Sequence, residues 1–91
     1  FAQAAALAPT HLQSRFALAA VCLDLGDSTG ALVAAESALA LAPDSPQSWF
    51  GRGVALEACG RPLEALADYE RALAIDARHA GSLLNRGALL R

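Results

Sequence analysis

Two cysteines, two histidines, nine carboxylates and seven arginines are the groups in this 91-residue chain that could carry chemistry. Cys22 and Cys59 have neither CxxC spacing nor a histidine or cysteine cluster around them. They read as small apolar packing residues, with a disulfide or a reactive thiol as the alternatives. The lack of a disulfide framework fits a reducing compartment. His11 and His79 stand 68 residues apart, and no third histidine completes a zinc site, so both read as turn residues. Gly51-Arg52-Gly53 falls inside a helical pattern and not after a strand, which excludes a phosphate-cradling loop. Asp68 and Glu70 read as carboxylates on a solvated helix face, and no Ser-His-Asp arrangement can be argued. No catalytic residue, metal or cofactor is therefore expected in this segment. A catalytic domain elsewhere in the parent chain remains compatible with that reading.

Composition sets the class. Hydrophobic residues make up 55% of the chain, much of it alanine, and β-branched or aromatic runs are absent, which favours close-packed helices over strands. The net charge is -2, and the arginines are scattered among carboxylates instead of forming a stripe, so nucleic-acid binding is not expected. The longest apolar run, Phe16 to Leu23, falls far short of the ~20 residues of a membrane span, so no membrane insertion is expected. Exclusive use of arginine over lysine, with abundant alanine, points to a GC-rich and bacterial genome. The chain opens on Phe1 in mid-helix register and stops at Arg91 inside a repeat, as a piece of a longer protein would.

The elements that must position these residues repeat with a period of 34. Sliding 12–45 onto 46–79 brings Gly26 onto Gly60, Ala31 onto Ala65, Leu32 onto Leu66, Glu36 onto Glu70, and Ala38-Leu39-Ala40-Leu41 onto Ala72-Leu73-Ala74-Ile75. The same offset carries Pro9 onto Pro43, and Arg52-Gly53 onto Arg86-Gly87. A period of this size means stacked supersecondary units that bury their apolar faces only against one another. Residues 1–11 read as the second helix of a preceding repeat, 12–45 and 46–79 as whole repeats, and 80–91 as the first helix of a following one. Helices are predicted over Phe1–Leu7, Leu12–Leu25, up to Leu41, Pro46–Cys59, up to Ile75, and Gly81–Leu90. Gly26 and Gly60 supply their turns, Pro62 sits near a helix start, and Asp44-Ser45-Pro46 makes a sharp stop. The joint Ala77-Arg78-His79 is expected to be looser.

Trp49, Gly53, Leu56, Gly60, Ala65, Tyr69 and Ala72 in one repeat, and Leu18, Ala19, Gly26, Ala31, Ala38 and Pro43 in the other, resemble the tetratricopeptide repeat. The resemblance spans nearly the whole chain. It departs at Arg52 and Arg86, where leucine is usual, at Ala19 for the first glycine, at Ala35 for the aromatic and at Ala77 for the closing proline. It implies an all-α, right-handed helix-turn-helix solenoid, with Leu18, Ala19, Cys22, Trp49, Gly53 and Leu56 packed between paired helices. By the same resemblance, a second stripe lines the concave groove of the superhelix: Gln13, Phe16, Ala17, Ala20 and Leu23, then Gln47, Phe50, Gly51, Val54 and Glu57, then Leu84, Asn85, Ala88 and Arg91.

This groove stripe is mostly apolar, with Phe16 and Phe50 in register and Gln13 and Gln47 beside them. A first helix apolar on both sides must bury its second side against something. The fitting partner is a protein or peptide, an amphipathic helix or extended segment with apolar anchors between the rings. The simpler reading is that the rings fill the inner face against each other, or that another segment of the parent packs there. The binding residues are then Gln13, Phe16, Ala20, Gln47, Phe50, Val54, Leu84, Asn85 and Ala88. Family members that grip a carboxylate use Lys and Asn where this chain has Phe16, Ala20, Phe50 and Val54, so that activity is not implied. Arg52 and Arg86 read as ion-pair residues toward a carboxylate near Glu36 or Glu70, or as a rung for an acidic ligand. Two other functions fit the sequence: a substrate-presenting appendage of a glycosyl-, sulfo- or methyltransferase, and end-to-end self-association through apolar solenoid ends around Leu7, Leu84 and Leu90.

Overall fold

The computed structural model describes residues 2–91, with side chains described from Leu12 onward. Among these residues the chain is all-α: α1 (Ala2–Asp24), α2 (Ser28–Leu41), α3 (Pro46–Ala58), α4 (Pro62–Ile75) and α5 (Ala80–Leu89). Each helix packs on the next in chain order, and α1 also touches α3. That is the nearest-neighbour pattern of a solenoid.

The helix ends follow from a few residues. Gly26 and Gly60 take φ of 79° and 77°, a left-handed conformation that only glycine adopts without strain. Each closes its helix with the same bonds: Asp27 N–H donates to Cys22 at 2.7 Å, and Arg61 N–H to Leu56 at 2.9 Å. Asp27 then caps α2 by accepting from Gly30 N–H at 2.9 Å. Pro46 and Pro62 sit in the first turns of α3 and α4, where a missing N–H costs nothing. At the joint expected to be loose, His79 caps α5 by accepting from Ser82 N–H at 3.3 Å, and Asp76 Oδ1 accepts from Arg78 N–H at 3.1 Å.

One boundary differs from expectation. A stop was expected between Leu7 and Leu12, yet α1 runs through Pro9 as a single helix. Proline removes one backbone bond there, but the alanine- and leucine-rich run before it, with Leu12 and Gln13 after it, favours helix. The reading of 1–11 as part of a preceding repeat, and the roles of Leu7 and His11, fall outside the described side chains.

The core is built from small residues. Ala31, Ala35 and Ala55 form one buried cluster, with Cys22, Leu23 and Leu32 packed on it; Leu56, Ala65 and Tyr69 form a second, with Phe50, Val54 and Leu89 against it. Gly53 is what admits Tyr69, because a Cβ at position 53 would lie 2.5 Å from Tyr69 Cε1. Cys59 is half-buried and donates its thiol toward the Ser28 carbonyl at 3.4 Å.

Two packing expectations need correction. Leu18 is 54% exposed, because the face of α1 and α2 that it shares with Val33 has no helix packed on it among the described residues. Trp49 is half-buried, not enclosed: its Nε1–H donates to the Pro43 carbonyl at 2.9 Å, and the guanidinium groups of Arg52 and Arg71 lie over its ring, 5.4 and 5.1 Å from the centroid.

The polar expectations change more. Asp68 is fully buried, not solvated, and it is Asp68, not Glu36 or Glu70, that pairs with Arg52. Arg52 donates from Nε at 2.8 Å and from Nη2 at 3.1 Å, and Arg71 Nη1 adds a third bond at 2.9 Å. A buried carboxylate persists only when satisfied in this way. The hydrogen bond to Asp68 holds the Arg52 guanidinium above its ordinary pKa against the opposing effect of burial.

Candidate functional site

The inner faces of α1 and α3, with Ala35 of α2, form an open hollow of about 180 Å³ lined by Phe16, Ala19, Ala20, Leu23, Ala35, Gln47, Phe50, Gly51 and Val54. Helical spacing explains the set. Phe16, Ala20 and Leu23 fall on one face of α1, and Gln47, Phe50, Gly51 and Val54 on one face of α3. Phe16 lies beside Gly51, and Cys22 and Leu23 pack on the cluster that includes Ala55.

The two phenylalanines do different work. The Phe50 ring packs on Tyr69 and on His79, at centroid distances of 5.9 and 5.2 Å, so it is half core and half cavity wall. The Phe16 ring faces Gly51, whose missing side chain leaves the hollow open: a Cβ there would lie 3.9 Å from Phe16 Cε1, an ordinary contact. Gln47 accepts at the cavity rim from His79 Nε2 at 3.4 Å, provided that nitrogen carries the proton.

Of the residues expected to bind, the structure brings Phe16, Ala20, Gln47, Phe50 and Val54 together. Gln13, Leu84 and Ala88 are exposed and lie outside the cavity wall. Asn85 is turned inward, donating from Nδ2 to the Tyr69 hydroxyl at 3.2 Å. Ala19 and Ala35 were missed. Both are buried and form the cavity floor, and their small size at facing positions was the available signal.

Tyr69 ties this wall to the core. Fully buried, it donates its hydroxyl to Glu57 Oε1 and accepts from Asn85. Burial, reinforced by the bond to Glu57, pushes its pKa upward from the ordinary 10.0. The folded state thus favours the protonated hydroxyl, so this contribution is complete below pH 10.0 and is lost as the pH rises toward the folded value. Tyr69 is the only tyrosine, so tyrosinate absorbance reports on it alone. Its ionisation is expected to lag well beyond that of free tyrosine, with the melting temperature falling over the same range. Tyr69→Phe is expected to remove that alkaline fall.

A larger hollow of about 480 Å³ lies between α1 and α2, lined by Ser14, Arg15, Leu18, Cys22, Gly30, Val33, Ala34 and Ser37. The 34-residue offset carries this lining onto a set that includes Trp49, Arg52, Leu56, Asp68 and Arg71. There the Pro43 carbonyl accepts from Trp49 Nε1–H on the same face. The larger hollow thus lies on the outer face of α1 and α2, and the inner cavity is the one formed between consecutive units.

The tetratricopeptide repeat family model matches residues 1–46 and again 16–82. The chain is a tetratricopeptide repeat protein. Its helix pairs and its glycine-closed turns are those of an all-α tetratricopeptide solenoid. A comparison with curated proteins finds no match. Tetratricopeptide repeats are in general protein–protein interaction modules. Among the described residues no helix of this tetratricopeptide protein is long and apolar enough to cross a membrane, and no group of three histidine, cysteine or acidic side chains could hold a metal.

Proposed function

We propose that this protein is a non-catalytic scaffold whose inner face, between α1 and α3, holds an apolar side chain from a peptide or helix of a partner protein. The supporting observation is the open cavity between Phe16 and Phe50, which exists because Gly51 leaves that space unfilled. Its volume of about 180 Å³ is large enough for one branched or aromatic side chain. Burying such an anchor contributes about 1.5–3 kcal/mol before the costs of association. Around it, the Gln47 amide can meet a polar group of the bound segment.

The test is backbone amide shift mapping by NMR with peptides selected from a random linear library. Shifts concentrated at Phe16–Leu23 and Gln47–Val54 are expected. Shifts confined to Leu18, Val33 and the outer face of α2 would reject the groove.

End-to-end association is a second reading, favoured by the apolar ends: Leu18 and Val33 are 54% and 59% exposed at one, Leu84 and Leu90 71% and 62% at the other. Sedimentation velocity over a concentration series separates the two. Growing assemblies without any added peptide would support stacking.

A further inference from the structure

We infer that the partner segment is basic as well as apolar: an aliphatic or aromatic anchor with a lysine or arginine close by in the same segment. This rests on the groove reading above and specifies its ligand. Beyond the cavity, at the carboxyl ends of α1 and α3, the inner face becomes acidic. Asp24 lies four residues past Ala20, and Glu57 three residues past Val54, so each continues its helix's cavity-lining face by one turn. Among the described residues no cation pairs with either carboxylate; Glu57 is met only by the Tyr69 hydroxyl.

Neither α1 nor α3 carries a basic residue in its last turn, so the negative ends of both helix dipoles add to the carboxylates. The positive starts of α2 and α4 at the same end are answered by their own Asp27 and Glu64. Arg61, the first basic residue after α3, is held by Glu64 in a two-point pair with both distances 2.7 Å. An apolar hollow whose acidic end has no ion-pair partner among the described residues complements a cation placed beside an apolar side chain, and repels an acidic segment.

The experiment is to pan a random linear-peptide library on the immobilised 91-residue chain. The enriched peptides are then measured by fluorescence anisotropy against the wild type, the double variant Asp24→Asn/Glu57→Gln, and Gly51→Leu. Glutamine at 57 keeps an acceptor for Tyr69, so the fold is not disturbed. Enriched peptides are expected to pair an apolar residue with lysine or arginine, to bind about tenfold more weakly to the double variant, and to weaken with salt. They are expected to lose binding to Gly51→Leu. Peptides that lose binding to Gly51→Leu but carry no basic residue, or bind the double variant equally well, would overturn the inference and leave the groove reading intact. No enrichment, or binding indifferent to Gly51→Leu, would overturn both.

Discussion

Arg52→Leu is expected to lower the unfolding free energy by ~3 kcal/mol, and adding Asp68→Ala to bring it back to within ~1 kcal/mol of the wild type. The single change strips two of the three hydrogen bonds from a carboxylate with no access to water. What remains is Arg71, whose side chain is 53% exposed and so free to prefer solvent. Losing one partner of a buried pair costs ~3–5 kcal/mol, and the surviving Arg71 bond places this case at the lower end. The double variant rebuilds what the preceding repeat already has, since Leu18 and Ala34 occupy the positions equivalent to Arg52 and Asp68. The residual ~1 kcal/mol is the lost contact between Arg52 and the Trp49 ring. Urea unfolding followed by Trp49 fluorescence measures all three proteins, Trp49 being the only tryptophan. A double variant no more stable than the single one would mean that the unpaired carboxylate is not the source of the loss.

Gly53→Ala is expected to destabilise by ~2 kcal/mol, although removing a helical glycine ordinarily gains ~1 kcal/mol. Steric overlap decides the sign. The new Cβ would sit 2.5, 2.9 and 3.1 Å from three carbons of the Tyr69 ring, and that ring is fully buried. It cannot retreat without breaking its bonds to Glu57 and Asn85. In the preceding repeat the same two positions are Ala19 and Ala35, so volume is divided evenly there and unevenly here. Gly53→Ala combined with Tyr69→Ala is therefore expected to cost less than the sum of the two single changes, by about 1–2 kcal/mol. Strict additivity in thermal melts would show that the two residues do not share space.

Much of this architecture was legible in the sequence because it rests on local signals. The period, the glycines with positive φ, the prolines at helix starts and the apolar spacing fix helices and turns whatever they pack against. Seven of the nine cavity residues were legible for the same reason: they are a face of α1 and a face of α3. The illegible part depends on which residues meet across helices. Asp68 reads as a surface carboxylate along α4, and only the approach of α3 buries it beside Arg52. Asn85 reads as a groove residue along α5, and only the Tyr69 hydroxyl turns it inward. Comparing the two repeats position by position offered a route to the first pairing and to the Gly53–Tyr69 contact, since Leu18/Ala34 becomes Arg52/Asp68 and Ala19/Ala35 becomes Gly53/Tyr69.

A charge at Phe50 would disturb Tyr69 and the core along with the groove. Gly51 offers the cleaner probe, because a Cβ there meets only the Phe16 ring, at an ordinary 3.9 Å, and no core residue. The measurement that tests the groove most directly is thus a thermal melt and a peptide-binding isotherm on Gly51→Leu beside the wild type. The expected result is a protein more stable by about 0.5–1 kcal/mol, from the helix preference of leucine over glycine, that no longer binds. A variant that is as stable or more so and still binds with wild-type affinity would contradict the account, because the cavity would then be filled and binding would have to occur elsewhere.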